Sequence, residues 1–265
     1  MNEPCSLVEP QISNTRTVKN QETSPPQAEL SPVRRYWSDF GWLLVVILIV
    51  MALAGLSSPV ILKSAKAADR TEALNNIRQI GMSLFEFDSD YGCFPDDQTA
   101  NEVRKRTHTE LKLTGEFSND YFRQLLAAGL KSEKPFWCKT SFSPKKPDDA
   151  FQPPAKALQP GEVGFSYIMA SASKGQSSSG DPGRPVVVAA SYEARADWTF
   201  DPGNTFGEKA IVLKLDNSAS AMNVRTDNKF IATGVAGRYL QTTGDNTPWG
   251  AGATPFLRAP QPKKP

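Results

Sequence analysis

The 265 residues include 30 Lys and Arg against 28 Asp and Glu, and a formal charge of +2 excludes a globally basic nucleic-acid binder. With 39% hydrophobic and 22% charged residues, the chain as a whole is neither disordered nor a polytopic membrane protein. One histidine excludes a histidine-rich metal site, and three cysteines are too few for a disulfide scaffold or an all-cysteine zinc site.

The first 36 residues place Pro10, Pro25, Pro26 and Pro32 among Ser, Thr, Gln and Glu, without apolar periodicity. Such a stretch buries too little surface to offset its ordering entropy, so a disordered tail is expected, with Cys5 as a free thiol. Residues 41–62, GWLLVVILIVMALAGLSSPVIL, are uncharged. As a helix this run spans about 33 Å, matching the roughly 30 Å hydrocarbon core of a bilayer. Trp37 and Trp42 lie at one end, where aromatic side chains favour the headgroup region. A buried core helix and a cleaved signal sequence, cut after Ala65-Lys66-Ala67, are the alternatives. Arg34 and Arg35 on one side and Lys63, Lys66, Arg70 and Arg78 on the other leave the orientation undetermined by charge.

Helical patterning continues beyond the apolar run. Residues 65–87 contain no proline, and Leu74, Ile77, Leu84 and Phe85 fall near one face, with Ile80 and Phe87 flanking it. One helix is expected over residues 38–91, kinked at Pro59 and ended by Gly92 and Pro95. Beyond it, residues 97–107 and 121–128 read as short helices, the second capped by Ser118-Asn119-Asp120. Residues 165–169, 185–190 and 209–215 read as strands, and residues 220–225 as a return strand after the turn at 216–219. Residues 171–184 form a Ser- and Gly-rich loop, and residues 259–265 a frayed end. The fold class expected is α+β: a long N-terminal helix, half transmembrane and half amphipathic, packed on a small antiparallel sheet.

Residues 43–95 resemble the N-terminal helix of type IV pilin-like proteins, above all the pseudopilins of type II secretion. The apolar run Leu43-Leu44-Val45-Val46-Ile47 aligns the family's kinking proline with Pro59. The run Asn75-Asn76-Ile77-Arg78-Gln79-Ile80-Gly81 and the close Tyr91-Gly92-Cys93-Phe94-Pro95 are similar to prepilin-like proteins of the planctomycete and verrucomicrobial kind. Residues 119–126 and 209–216 are similar more loosely, the latter ending in Asp216-Asn217-Ser218 where relatives often have Asp-Gly-Ser. The family's cleavage glycine, phenylalanine and glutamate fall on Trp37, Ser38 and Trp42. Both losses fit an uncut anchor, since the glutamate's task is to offset a new N-terminal ammonium in low dielectric.

The resemblance implies a non-enzymatic, single-pass protein of the bacterial inner membrane, a structural or assembly subunit of a type II secretion or type IV pilus-like system. The alternative is a membrane-tethered periplasmic binding or scaffold domain. In this organisation residues 1–37 are a cytoplasmic tail, 38–62 the transmembrane helix, 63–91 its amphipathic extension, 92–258 a periplasmic pilin-like domain and 259–265 a disordered end. The partners expected are the lipid bilayer, pilin-like or secretion-system subunits and a second copy of the chain, with no nucleic acid. Trp42, Leu44, Val45, Ile47, Ile49, Met51, Gly55 and Pro59 are the candidates for anchoring and helix packing. Asn75, Asn76, Arg78, Gln79, Gly81, Tyr91, Pro95 and Asp216 are the structural residues of the shared motifs.

In an oxidising compartment Cys93 and Cys138 are candidates for a disulfide closing a loop of about 45 residues, worth roughly 4 kcal/mol; two buried free thiols are the alternative. No catalytic group and no cofactor is expected. Calcium is retained as a candidate because major pseudopilins hold it in a carboxylate-rich loop, for which Asp216, Asp227 and Asp245 are conceivable ligands. His108, in the basic run 104–109, reads as a solvated loop histidine, and a tethered hydrolase is the remaining rival.

Overall fold

A computed structural model describes residues 32–263 apart from Asn204, with residues 32–39 and 53–62 described by their backbone alone. The expected tail with Cys5, and the side chains of Trp37, Ser38, Gly55 and Pro59, therefore lie outside the described residues. The chain divides into two compact units, Met1–Gly55 and Leu56–Pro265. Helix α1, Pro32–Tyr91, begins in the first unit and ends in the second.

In the second unit, α1 is followed by α2 (Asp97–Thr107) and α3 (Ser118–Ala128). Strands β1 (Ser166–Met169), β2 (Pro185–Ala189), β3 (Lys209–Lys214), β4 (Ala219–Asn223) and β5 (Phe256–Arg258) form one antiparallel sheet in the order β4-β3-β2-β1-β5. The last strand returns across the sheet to pair with β1, with Ile168 opposite Leu257.

β1 and β2 are buried at every position, and the inner four residues of β3 likewise. Alternate side chains feed two cores because successive residues of a strand point to opposite faces. Tyr167, Met169, Val187, Ile211 and Leu213 join the helices in the larger core. Ile168, Val188, Ala210, Val212 and Leu257 join Phe200, Val224, Ile231, Leu240 and Trp249 in a second core beneath a cap of loops. A sheet covered on both faces explains why its strands read as apolar runs rather than as an alternating pattern.

The expected long helix with a transmembrane half, packed along a small sheet, requires correction. Among the described residues, no helix is long and apolar enough to cross a membrane. Of the uncharged run, only residues 41–52 are described with their side chains, twelve residues against the roughly 20 that a membrane-spanning helix needs. The short α3 lies against the sheet, on β1. Among the described residues of α1, those buried in the core are Ala73, Ile77, Ile80, Leu84 and Phe87. This stripe, with spacings of four and three, is offset from the expected face, and Leu74 and Phe85 are only half-buried.

The two short helices begin differently. Asp96 caps α2 through a reciprocal pair: its Oδ1 accepts from Thr99 N at 2.7 Å, and Thr99 Oγ1 accepts from Asp96 N at 2.8 Å. The proposed cap Ser118-Asn119-Asp120 lies inside α3 instead, after Phe117. The frayed end also needs correcting as far as residue 263. Ala259 is buried and its carbonyl accepts from Ser118 N, while Gln261 N donates to Asn119 Oδ1 at 2.8 Å. The polar sequence of this end conceals backbone bonds to α3 that satisfy both partners.

Candidate functional site

The shared motif at the end of α1 is divided between structural and solvent-facing side chains. Asn76 Nδ2 donates to Trp137 O at 2.8 Å, tying the helix to the segment after α3. Gly81 faces the β3–β4 turn: a Cβ there would lie 2.0 Å from Asn217 Oδ1 and 3.2 Å from a Leu213 methyl. Helix and turn approach closely because residue 81 has no side chain. Tyr91 stacks on Phe87 with centroids 4.5 Å apart, and Arg106 lies 4.6 Å above its ring. Pro95 O accepts from Tyr167 OH at 2.9 Å, joining the end of the motif to β1.

Asn75, Arg78 and Gln79 are exposed, with Arg78 Nη1 3.5 Å from Asn75 Oδ1. Gln79 and Asn76 line a cavity of about 430 Å³ with Glu72, Lys134, Trp137 and Lys146. Lys146 sits 4.9 Å over the Trp137 ring, and Lys134 pairs with Asp149 at 3.3 Å. This polar recess is the motif's outward surface.

In the first unit, Trp42, Leu44, Val45, Ile47, Ile49 and Met51 are all exposed, from 46% for Ile47 to 71% for Trp42. A contiguous exposed apolar surface of this kind is the informative departure from an ordinary soluble surface.

The proposed disulfide does not form: Cys93 and Cys138 are both free. The contact between Asn76 and Trp137 sets Cys138 beside the middle of the second half of α1, whereas Cys93 follows the helix end. The helical rise from residue 76 to residue 91 alone is about 22 Å, against the ~7 Å Cα separation a disulfide tolerates. Cys93 Sγ instead donates to Asp96 Oδ2 at 3.5 Å. Burial, followed by the Asp96 charge, pushes its thiol up to about 12. Burial also raises Cys138, with Glu72 adding to it. Neither is a nucleophilic thiol at neutral pH.

The carboxylates considered for calcium do not converge. Among the described residues, no three His, Cys, Asp or Glu side chains gather to hold a metal ion. Asp216 Oδ1 accepts from Ser218 N at 2.8 Å, and the Ser218 hydrogen bonds hold its carboxyl low. Asp227 is gripped by both nitrogens of the Arg225 fork at 2.9 and 2.8 Å, and the pairing holds it down at about 2. Asn217 adopts φ +60°, a left-handed conformation that asparagine tolerates. His108 ends α2 in the same conformation, its N–H donating to Arg104 O.

Sequence reasoning missed the polar network carried by α3. Arg123 is 7% exposed; Nη1 donates to Asp120 Oδ1 at 2.6 Å, Nε to Ala157 O and Nη2 to Leu158 O. Gln124 donates to Asp96 O and Leu113 O and accepts from Thr99 Oγ1. Asn119 Nδ2 donates to Leu158 O. Nearby, Glu133 Oε1 accepts from Leu158 N at 2.6 Å while its Oε2 has no hydrogen-bond partner. Burial, with Glu162, Asp148 and Asp149 adding repulsion, pushes Glu133 up to about 7. Glu162 is itself buried and pairs with Lys145 at 2.5 Å. The available signal was the density of polar residues in 119–124, too high for the amphipathic helix it resembled.

The Ser- and Gly-rich loop 171–184 is fastened in its first half. Gln176 is buried, its Nε2 donating to Ile168 O and Pro185 O, and its carbonyl accepts from Phe94 N. Gly175 N donates to Asp96 Oδ2 at 3.3 Å. No family model, curated protein or solved structure matches the chain.

Proposed function

We propose that the chain is a non-enzymatic, single-pass protein of the bacterial inner membrane, of the pilin- and pseudopilin-like class. In this reading it serves as a structural or assembly subunit of a type II secretion or type IV pilus-like system. The observation that carries the reading is the order of two sequence features: the uncharged run 41–62, then the motif Asn75-Asn76-Ile77-Arg78-Gln79-Ile80-Gly81. The exposure of Trp42 to Met51 supports it, because an apolar surface of this size needs lipid or a neighbouring helix. The N-terminus faces the cytoplasm and the domain the periplasm.

A second reading is favoured by Trp37, Ser38 and Trp42, which stand where the family has its cleavage glycine, phenylalanine and glutamate. It makes the protein a solitary tether for a periplasmic scaffold domain. Two measurements on native membranes separate the readings. Intact mass and N-terminal sequence report whether the tail is retained. In a Cys5→Ser background, Leu44→Cys, Ile47→Cys and Met51→Cys should each give oxidative crosslinks in an assembled subunit. No crosslink at any of the three positions would eliminate assembly through this helix and leave the tether.

A further inference from the structure

We infer that the cavity in the loop cap over the second core binds a small amphipathic organic anion, a carboxylate carried on one aromatic ring or a short alkyl chain. The inference is independent of membrane assembly, because it concerns the opposite face of the sheet from the α1 motif. The cavity holds about 250 Å³ and is lined by Met222, Val235, Leu240 and Trp249, with Lys214 and Arg238 among the polar groups. That volume lies just below the roughly 300–1,000 Å³ of pockets for drug-sized ligands, so it suits a single ring rather than a polymer.

The walls are built before any ligand arrives. Trp249 is 4% exposed, and its indole N–H donates to Leu240 O at 2.8 Å. Gly244 and Gly250 pair as a bridge that closes the loop carrying Trp249, and Thr247 Oγ1 donates to Gly244 O. Ala232 and Tyr239 pair likewise across the loop that carries Val235. Val235 is 53% exposed, leaving apolar surface open to solvent.

The charge is one-sided. Among the described residues, no Asp or Glu lines the cavity. Among the described residues, no carboxylate lies within ion-pair distance of Lys214, Arg238 or Arg184, whose guanidinium stands 5.8 Å from the Trp249 ring centre. Asp216 senses Lys214, but its Oδ1 is held by the Ser218 N–H of its own turn. Arg238 spends one donor, Nη1 to Asn246 O at 2.6 Å, and keeps the rest of its fork. A guanidinium fork beside an apolar pocket matches a carboxylate whose stem is apolar, and discriminates against the neutral and cationic forms of that stem.

The test titrates the full-length protein in detergent with 3-phenylpropionate, its neutral amide and 3-phenylpropylamine, against protein-free micelles. The readout is the Trp249 indole N–H resonance, assigned by Trp249→Phe. The carboxylate is expected to shift it saturably, with a Kd at least about tenfold below that of the amide, and the amine is expected to have no effect. Arg238→Gln should bring the carboxylate to the level of the amide while leaving the ligand-free resonance in place. Val235→Asp, at an exposed site, should abolish carboxylate binding. The inference is overturned if the carboxylate produces no saturable shift, if the amide binds equally well, or if Arg238→Gln preserves the preference.

Discussion

Gly175 has no room for a side chain. A Cβ built there would lie 2.3 Å from Phe94 O and 3.1 Å from Pro95 O, backbone atoms that cannot rotate aside. Gly175→Ala must therefore push the loop off the end of α1, and a cost of about 2–4 kcal/mol is expected in urea denaturation. Gly203→Ala, where nothing lies within 4 Å of the added carbon, should stay within about 0.5 kcal/mol of the parent. Glu133 acts through its charge. Its folded-state value of about 7 exceeds that of an unfolded glutamate, so the folded protein retains a proton that the unfolded chain releases between those values. Stability should thus fall as pH rises through that window. Glu133→Gln keeps the oxygen that accepts from Leu158 N. It should be more stable than the parent by about 2–3 kcal/mol at pH 8 and nearly equal to it at pH 4.5, which thermal melts at the two pH values will read.

At the scale of elements, α3 is the piece on which the others close. Its residues 118–126 are all buried, and its polar side chains reach the 157–158 segment, the α2 cap and the C-terminal end. Arg123→Met should cost about 3–5 kcal/mol, because Ala157 O loses its side-chain donor, Leu158 O is left with Asn119 Nδ2, and Asp120 keeps Lys112 as its remaining ion-pair partner. The C-terminal segment is part of the same unit. Ending the chain after Arg258 leaves Ser118 N and Asn119 Oδ1 without their partners, both on buried residues. A loss of about 2–3 kcal/mol is expected in the same denaturation assay.

At the scale of the second unit, the sheet separates two cores, and helix length separates the two cysteines. Alkylation of denatured, unreduced protein should modify Cys5, Cys93 and Cys138 alike, and a mass lower by two adducts would contradict the free thiols. The short helices and the first four strands were legible because each carries a local signal. β-branched runs mark β2 and β3, for example. The fifth strand was not legible. Phe256–Arg258 is three residues long, among Pro and Gly, and becomes a strand because β1 offers an unpaired edge. The cap around Trp249 was hidden for the same reason, since its isolated bridges have no local period.

By itself, the sequence determined the location of α2 and the hairpin of β3 and β4 around Asn217. These depend on capping, branching and turn chemistry within a few residues of one another. Only the tertiary structure decided that Cys93 and Cys138 stay apart and that Arg123 is buried. It also decided that Lys214 and Arg238 share a cavity with Trp249. These outcomes are set by which faces of the sheet and helices meet, between residues far apart in the chain, and no local pattern encodes that choice.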